Sequence, residues 1–126
     1  MSSTVKDAVE ERLKALISAI PGAEAGAVVT LDGLMVGSVL LSGMNEELVS
    51  GMAAAFLSIS SRISAELDRG KFDIGLIRGD KGILLATSAG PEAALILLAD
   101  KDARLGLVFL EMKRAAEDIA KIMWRG

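Results

Sequence analysis

Three sets of neighbouring carboxylates are the side chains of this sequence best suited to bind a divalent cation. They are Glu10 with Glu11, Glu46 with Glu47, and the loop from Asp100 to Asp102. Mg²⁺ and Ca²⁺ take oxygen ligands, but adjacent side chains on a helix point apart, and the loop lacks EF-hand spacing. We therefore interpret these acids as structural charges at helix starts and in a solvated loop.

Three arginines, Arg62, Arg69 and Arg78, have the side chain that stabilises developing charge in phosphoryl transfer when a regulator supplies it to a partner enzyme. A guanidinium is far more often a solvated surface group, so none of the three is assigned a catalytic role.

Most enzyme classes are excluded by residues that the chain lacks. It contains no histidine and no cysteine, which rules out Ser-His-Asp and Cys-His catalysis, disulfides and a zinc ribbon. The one Gly-Lys pair, Gly70-Lys71, is followed by Phe72 and has Ala65 where a phosphate-binding loop needs its first glycine. No two glycines are spaced for a dinucleotide fingerprint. We expect no catalytic residue, no cofactor and no resident metal.

The composition favours self-association. Of 126 residues 52% are hydrophobic, with few aromatics, so the core is aliphatic. A domain of this size cannot easily hide so much apolar surface alone, which predicts a self-associating or partner-binding face. The net charge of −3 and the scarcity of aromatic side chains argue against nucleic acid as a partner.

The length predicts a single domain over residues 1–126. The longest uncharged stretches, Gly33 to Asn45 and Leu48 to Ser61, fall short of the ~18–20 apolar residues that cross a bilayer. The N-terminus mixes acids and bases, unlike a secretory signal. We expect a cytoplasmic protein without a membrane span.

Short sequence signals mark where the helices and strands of the chain begin and end. Thr4 and Asp7 form a capping-box pattern before a first amphipathic helix, which Pro21 and Gly22 end. Asp32-Gly33 predicts a tight hairpin turn between two valine-bearing runs. Three short apolar segments, from Phe72 to Arg78, Gly82 to Ala89 and Ala93 to Ala99, then predict a meander. A third helix follows Asp100 to Asp102, and Trp124 near its end either anchors a partner or folds back over the helix.

The second helix, from Asn45 to about Asp68, has two apolar faces. The first has ordinary core spacing and consists of Leu48, Met52, Ala55, Phe56, Ile59, Ile63 and Leu67. The second surrounds Leu57 with small residues, namely Ser50, Ala53, Ala54, Ser58 and Ser61. We expect the first face to pack inside the subunit and the small face to pack against an identical helix. Packing of the small face within its own subunit is the alternative.

The element order α-β-β-α-β-β-β-α predicts an α/β sandwich of the α+β type. Its layers are one five-stranded, mainly antiparallel sheet and helices on both faces. The segment Phe72 to Arg78 is apolar on both faces and contains no proline, so a free edge there would aggregate. Pairing with its symmetry mate would continue the sheet across a dimer.

This arrangement resembles the roadblock family of dynein light chains and bacterial polarity regulators, a profilin-like fold. The resemblance rests on the element order, the hairpin Leu31-Asp32-Gly33-Leu34, the alanine-rich helix after Asn45, and the ending from Leu105-Gly106-Leu107 to Lys113-Arg114-Ala115-Ala116. It implies a homodimer with a continuous ten-stranded sheet. The positions that it places in the dimer interface are Ser50, Ala53, Ala54, Leu57, Ser61, Phe72, Ile74 and Leu76.

The resemblance also implies a function. It points to a non-catalytic cytoplasmic scaffold that binds and regulates, or serves as an effector of, a Ras-like small GTPase. A dynein-type motor adaptor and a cytoplasmic small-molecule sensor remain alternatives. A metal-dependent enzyme is the weakest of them.

Overall fold

Three helices and five strands follow one another in the predicted order in the computed structural model, which describes residues 4–124. Their bounds are α1 Val5–Ala19, β1 Ala23–Thr30, β2 Met35–Val39, α2 Glu46–Glu66, β3 Ile74–Gly79, β4 Gly82–Ser88, β5 Ala93–Ala99 and α3 Leu105–Trp124.

Two of the helices begin at the caps that the sequence predicts. The Thr4 hydroxyl accepts a hydrogen bond from the Asp7 amide at 3.0 Å, and the Asp7 carboxylate accepts one from the Thr4 amide. The Asn45 side chain accepts a hydrogen bond from the Leu48 amide at 3.0 Å. Each cap satisfies an amide that has no partner within the first helical turn, so short-range sequence fixes where α1 and α2 begin.

The five strands form one antiparallel sheet in the order β2-β1-β5-β4-β3. The β1–β2 and β3–β4 hairpins therefore supply its two edges, and β5 lies at its centre. Gly33 has a φ of +91°, the left-handed conformation that the predicted turn at Asp32-Gly33 requires. Helices cover both faces of the sheet, which confirms the predicted fold class.

Helices α1 and α3 lie together on one face of the sheet. Their buried side chains include Leu13, Leu16, Met112 and Ile119, which share a core with Leu85 of β4. The Arg12 guanidinium forms an ion pair with Asp118 at 2.8 Å and so joins the two helices across their outer side. Helix α2 lies alone on the opposite face.

Helix α2 packs on the sheet through its small face, so the expected assignment of its two faces is wrong. Ser50, Ala53 and Leu57 are buried within the same chain, at 6%, 3% and 3% exposure. Five members of the expected core face are instead more than half exposed, namely Leu48, Met52, Ile59, Ile63 and Leu67. The alternative in which the small face packs inside its own subunit is observed for these three residues, whereas Ala54 is half-buried and Ser58 and Ser61 are exposed.

The physical reason for this reversal lies in the sheet beneath α2. The strands present alanines at the contact, Ala27, Ala86 and Ala94, together with Val29 and Ile96. Small side chains on both sides let the helix approach the sheet closely, whereas leucine and methionine would hold it away and leave gaps. Leu57 is the large side chain of α2 that is buried in this contact, and the half-buried Val49 and Phe56 pack beside it.

The sequence predicted no membrane span. By length and composition alone, however, α2 is long and apolar enough to cross a membrane. The sheet of the same chain covers one side of α2, and Arg62 with Glu66 forms an exposed ion pair at 3.2 Å near its end.

Candidate functional site

The most unusual surface of the molecule is a row of exposed aliphatic side chains along α2, which we call the aliphatic stripe. Its members are Leu48, Met52, Ile59, Ile63 and Leu67. They follow one another at intervals of four or seven residues, so they share one side of the helix for its whole length. Exposed apolar rows of this size are typical of surfaces at which proteins bind other molecules.

A groove of about 430 Å³ separates the aliphatic stripe from the sheet on the side of β3. Met52 and Phe56 form its helical wall, and Ile77, Leu84 and Leu98 form its floor. All of its lining side chains are apolar, so it offers no group that would orient a polar ligand. The groove therefore extends the apolar surface from α2 to the edge of the sheet.

The edge strand β3 has backbone groups that are free to pair with another strand. Gly79 lies opposite Gly82 across a two-residue turn, so these two residues exchange backbone hydrogen bonds. Because bonded and non-bonded pairs alternate in an antiparallel ladder, the amides of Ile74, Leu76 and Arg78 point away from β4. Among the described strands β3 pairs with β4 alone, so these amides line an open edge.

The structure divides the predicted interface residues into two groups. Ser50, Ala53 and Leu57 lie against the chain's own sheet and offer no surface to a partner, which corrects their expected outward position. The other five are at least partly accessible, and of these Ser61 and Leu76 are exposed while Ala54, Phe72 and Ile74 are half-buried. The aliphatic stripe is what sequence reasoning missed, since its spacing is also that of a core face.

In each of the three acidic sets that the sequence suggested as possible metal ligands, one carboxylate has a hydrogen-bond partner within the fold. The Glu10 carboxylate accepts a hydrogen bond from the Ser38 amide at 3.0 Å. The Glu46 carboxylate accepts one from the Ser38 hydroxyl at 2.8 Å, and that of Asp100 accepts one from the Asp102 amide at 3.1 Å. The first two contacts tie α1 and α2 to β2, and the third lies within the loop between β5 and α3.

The three arginines do not converge on one place. Arg62 pairs with Glu66, and Arg69 donates from Nε to the Leu67 carbonyl at 3.1 Å. Arg78 lies exposed near the end of β3. The distinctive surface of this chain is therefore the combination of the aliphatic stripe, the apolar groove and the open edge of β3.

Solved structures of other proteins have the same fold as this chain. MglB of Myxococcus xanthus is 19% identical and superposes with a TM-score of 0.85 over 98% of this chain and 92% of its own. The gliding protein MglB of Thermus thermophilus is 20% identical, with a TM-score of 0.84 over 100% of this chain and 96% of its own. At these identities the likeness concerns the fold.

Sequence comparison gives the family. The uncharacterized protein MJ1340 of Methanocaldococcus jannaschii is 39% identical over 98 residues, which are 78% of this chain and 85% of the relative. The model of the Roadblock/LC7 domain family matches residues 9–99, a range that begins within α1 and ends with β5. The aliphatic stripe and the open edge of β3 lie within that range. The chain belongs to the Roadblock/LC7 domain family.

Proposed function

We propose that this protein is a cytoplasmic homodimer that binds a Ras-like small GTPase and regulates it or acts as its effector. Roadblock/LC7 domains are non-enzymatic adaptors and regulators, and the family is associated with small GTPases. The observation that carries the proposal is the exposed aliphatic stripe of α2 beside the open edge of β3.

The aliphatic stripe supports a homodimer because an identical stripe is its simplest partner. A two-fold axis brings the same surface of two subunits together, so an apolar row meets an apolar row without any further specialisation. Covering an aliphatic side chain of this size contributes about 1.5–3 kcal/mol. Five such side chains per subunit supply a large driving force, which association must offset against lost rotational and translational freedom.

The open edge of β3 supports the same two-fold arrangement of subunits. Strand β3 lies beside the groove that the stripe borders, so one partner is able to cover α2, the groove and β3 together. Pairing of β3 with its mate would satisfy the outward amides of Ile74 and Leu76 and continue the sheet. The proposed interface therefore keeps Phe72, Ile74 and Leu76 of the positions expected from the sequence. The aliphatic stripe replaces the expected positions on α2, because Ala54 and Ser61 lie on the opposite side of the helix from the stripe and Ser50, Ala53 and Leu57 are buried against the sheet.

The partner proposed for the dimer is a small GTPase because the Roadblock/LC7 family is associated with small GTPases, and the GTPase would supply the nucleotide-binding residues that this chain lacks. Its sequence contains neither a phosphate-binding loop nor a histidine. A regulator of this kind acts on its partner by selecting or reshaping one conformation, which requires different affinities for the two nucleotide states.

The dimer is tested by light scattering on the full chain. We expect a mass twice the 13.1 kDa of one subunit. Ile59→Arg should give a folded monomer, since it places a charge in the middle of the interface while touching none of the subunit's own core. Leu110→Arg is the matched control, because Leu110 is also exposed but lies on α3, on the other face of the sheet. A wild-type monomer, or dimers of both variants, would contradict the proposed interface.

The GTPase is tested by affinity capture from the source lysate with GDP and with a non-hydrolysable GTP analogue. The expected result is a Ras-like GTPase recovered preferentially in one nucleotide state, followed by direct binding and hydrolysis measurements with the purified pair. A clean dimer that recovers no GTPase in either state would contradict the proposal. Recovery of a motor subunit, or tight binding of a small molecule, would favour the two alternatives from the sequence.

A further inference from the structure

Three separate segments meet at the end of the sheet where β1 turns into β2. The Leu31 amide donates a hydrogen bond to the Glu92 carbonyl at 3.0 Å, which joins this turn to the β4–β5 turn. The Trp124 ring, from the end of α3, packs against Gly90 so closely that a Cβ on Gly90 would lie 2.5 Å from a ring atom. Trp124 therefore folds back onto a neighbouring turn, and the rest of its ring faces outward.

Between these segments lies a groove of about 540 Å³ that we call the hairpin groove. Its apolar lining includes Leu31, Leu34 and Trp124, all of them exposed large side chains, with Leu34 at 64%. Two carboxylates, Asp32 and Glu92, also line it. Leucines on both sides of a tight turn contribute little to the core when exposed, so folding of the subunit does not explain them.

Among the described residues that line the hairpin groove, the charged side chains are both acidic. Within residues 4–124, no ion pair engages the carboxylate of Asp32 or of Glu92. One oxygen of Asp32 accepts a hydrogen bond from the Thr30 hydroxyl, which holds this side chain at the turn. Two negative charges beside an apolar floor are complementary to a positively charged segment that carries an apolar side chain.

The hairpin groove is independent of the proposed dimer interface. It lies at β1 and β2, and two strands, β5 and β4, separate β1 from the open edge of β3. Helix α2 contributes none of its lining. A dimer through α2 and β3 would carry two hairpin grooves, each accessible, and a monomer would carry one.

From these observations we infer that the hairpin groove is a docking site for a cationic segment of a partner protein that inserts one large apolar side chain. Leu31, Leu34 and Trp124 receive the apolar side chain. Asp32 and Glu92 pair with lysine or arginine on either side of it. Tryptophan at the centre of a small apolar pocket is the side chain that most often dominates such interfaces. A negatively charged lipid surface is disfavoured by the same two carboxylates.

The single tryptophan of the chain makes the site directly observable. We would titrate the full chain with a short helical peptide of lysine and alanine that carries two leucines one turn apart, and follow Trp124 fluorescence. We expect a blue shift as leucine covers the ring, and an affinity that falls as salt rises. A peptide with glutamate in place of lysine, and one with alanine in place of leucine, should each produce no shift.

Two variants separate the apolar from the electrostatic contribution to peptide binding. Leu34→Ser should weaken binding of the lysine–leucine peptide about tenfold by removing an exposed apolar contact. The double variant Asp32→Asn and Glu92→Gln should weaken it about three- to tenfold and remove most of the salt dependence. Asparagine keeps the oxygen that Thr30 contacts, so the turn is preserved. Leu110→Ser and Asp80→Asn are matched exposed controls elsewhere and should bind like the wild type.

Several results would overturn the inference. They are an absent fluorescence shift, an equal response to the glutamate or alanine peptide, and binding that survives both groove variants. Binding abolished by Ile59→Arg but unchanged by Leu34→Ser would place the site on α2 instead. Because Ile59→Arg also reports on the dimer by light scattering, failure of the groove and failure of the proposed dimer are separately visible.

Discussion

A Cβ atom placed on Gly75 of β3 would lie 2.9 Å from Cζ of Phe56 on α2. The helix and the edge strand therefore meet here with room for glycine alone, and Phe56, which makes this contact, also lines the apolar groove beside the aliphatic stripe. The Ser60 hydroxyl lies 3.4 Å from the same point, so a second side chain of α2 also crowds this position.

Gly75→Val should lower the free energy of unfolding by about 1–3 kcal/mol, because the added side chain displaces Phe56 and separates α2 from β3. Urea unfolding followed by circular dichroism measures the change. Gly106→Ala on α3 is the control, since nothing lies within 4 Å of its added methyl group and alanine favours a helix. Equal destabilisation by both variants would contradict the close contact.

Leu57 and Ile59 should respond differently to truncation. Leu57→Ala leaves a cavity between α2 and the sheet and should cost about 2–4 kcal/mol of folding free energy at every protein concentration. Ile59→Ala should leave the subunit core unchanged and mainly lower the dimer affinity, so its effect on the melting temperature should depend on concentration. Thermal unfolding of both variants over a dilution series separates the two, and a reversed pattern would restore the assignment favoured by periodicity.

Two proline substitutions on neighbouring residues of β3 test the direction of its backbone groups. Leu76→Pro removes an amide that faces the open edge, so it should abolish strand pairing between subunits while β3 stays paired with β4. Ile77→Pro removes an amide that bonds to β4 and should destabilise the fold itself. Light scattering and circular dichroism are recorded on both. A Leu76→Pro variant that remains dimeric would exclude β3 pairing from the interface.

The ion pair between Arg12 and Asp118 should have a measurable coupling energy, because Arg12 is largely buried and the pair joins α1 to α3. A double-mutant cycle with Arg12→Gln and Asp118→Asn should give about 0.5–1 kcal/mol, decreasing as salt is added. The same cycle on the exposed pair Arg62 and Glu66 should give about 0.3–0.5 kcal/mol. A coupling near zero for Arg12 and Asp118 would show that the other helix contacts alone hold α1 and α3 together.

Local signals predicted the order of the elements because each depends on a few adjacent residues. Thr4 and Asn45 cap helices through amides three residues away, and Gly33 adopts the left-handed backbone that its turn needs. The predicted bounds of β5, Ala93 to Ala99, are those observed. Boundaries of this kind require no knowledge of the rest of the chain.

Trp124 shows where such reasoning stops. Its position near the end of α3 left two interpretations equal, a partner anchor or a side chain folded back over its own helix. The structure packs one edge of the ring on Gly90, in a turn far away in sequence. The hairpin groove could not be predicted because its lining comes from three segments that only the sheet brings together.

The sequence by itself determined that α2 has two apolar faces and that the chain has more apolar surface than one small domain hides easily. Only the tertiary structure decided which face turns inward. Periodicity gives the direction of an apolar face around a helix but not what lies opposite it. Here the opposing sheet presents Ala27, Ala86 and Ala94, so small residues pack closest and the larger aliphatic side chains are left on the surface.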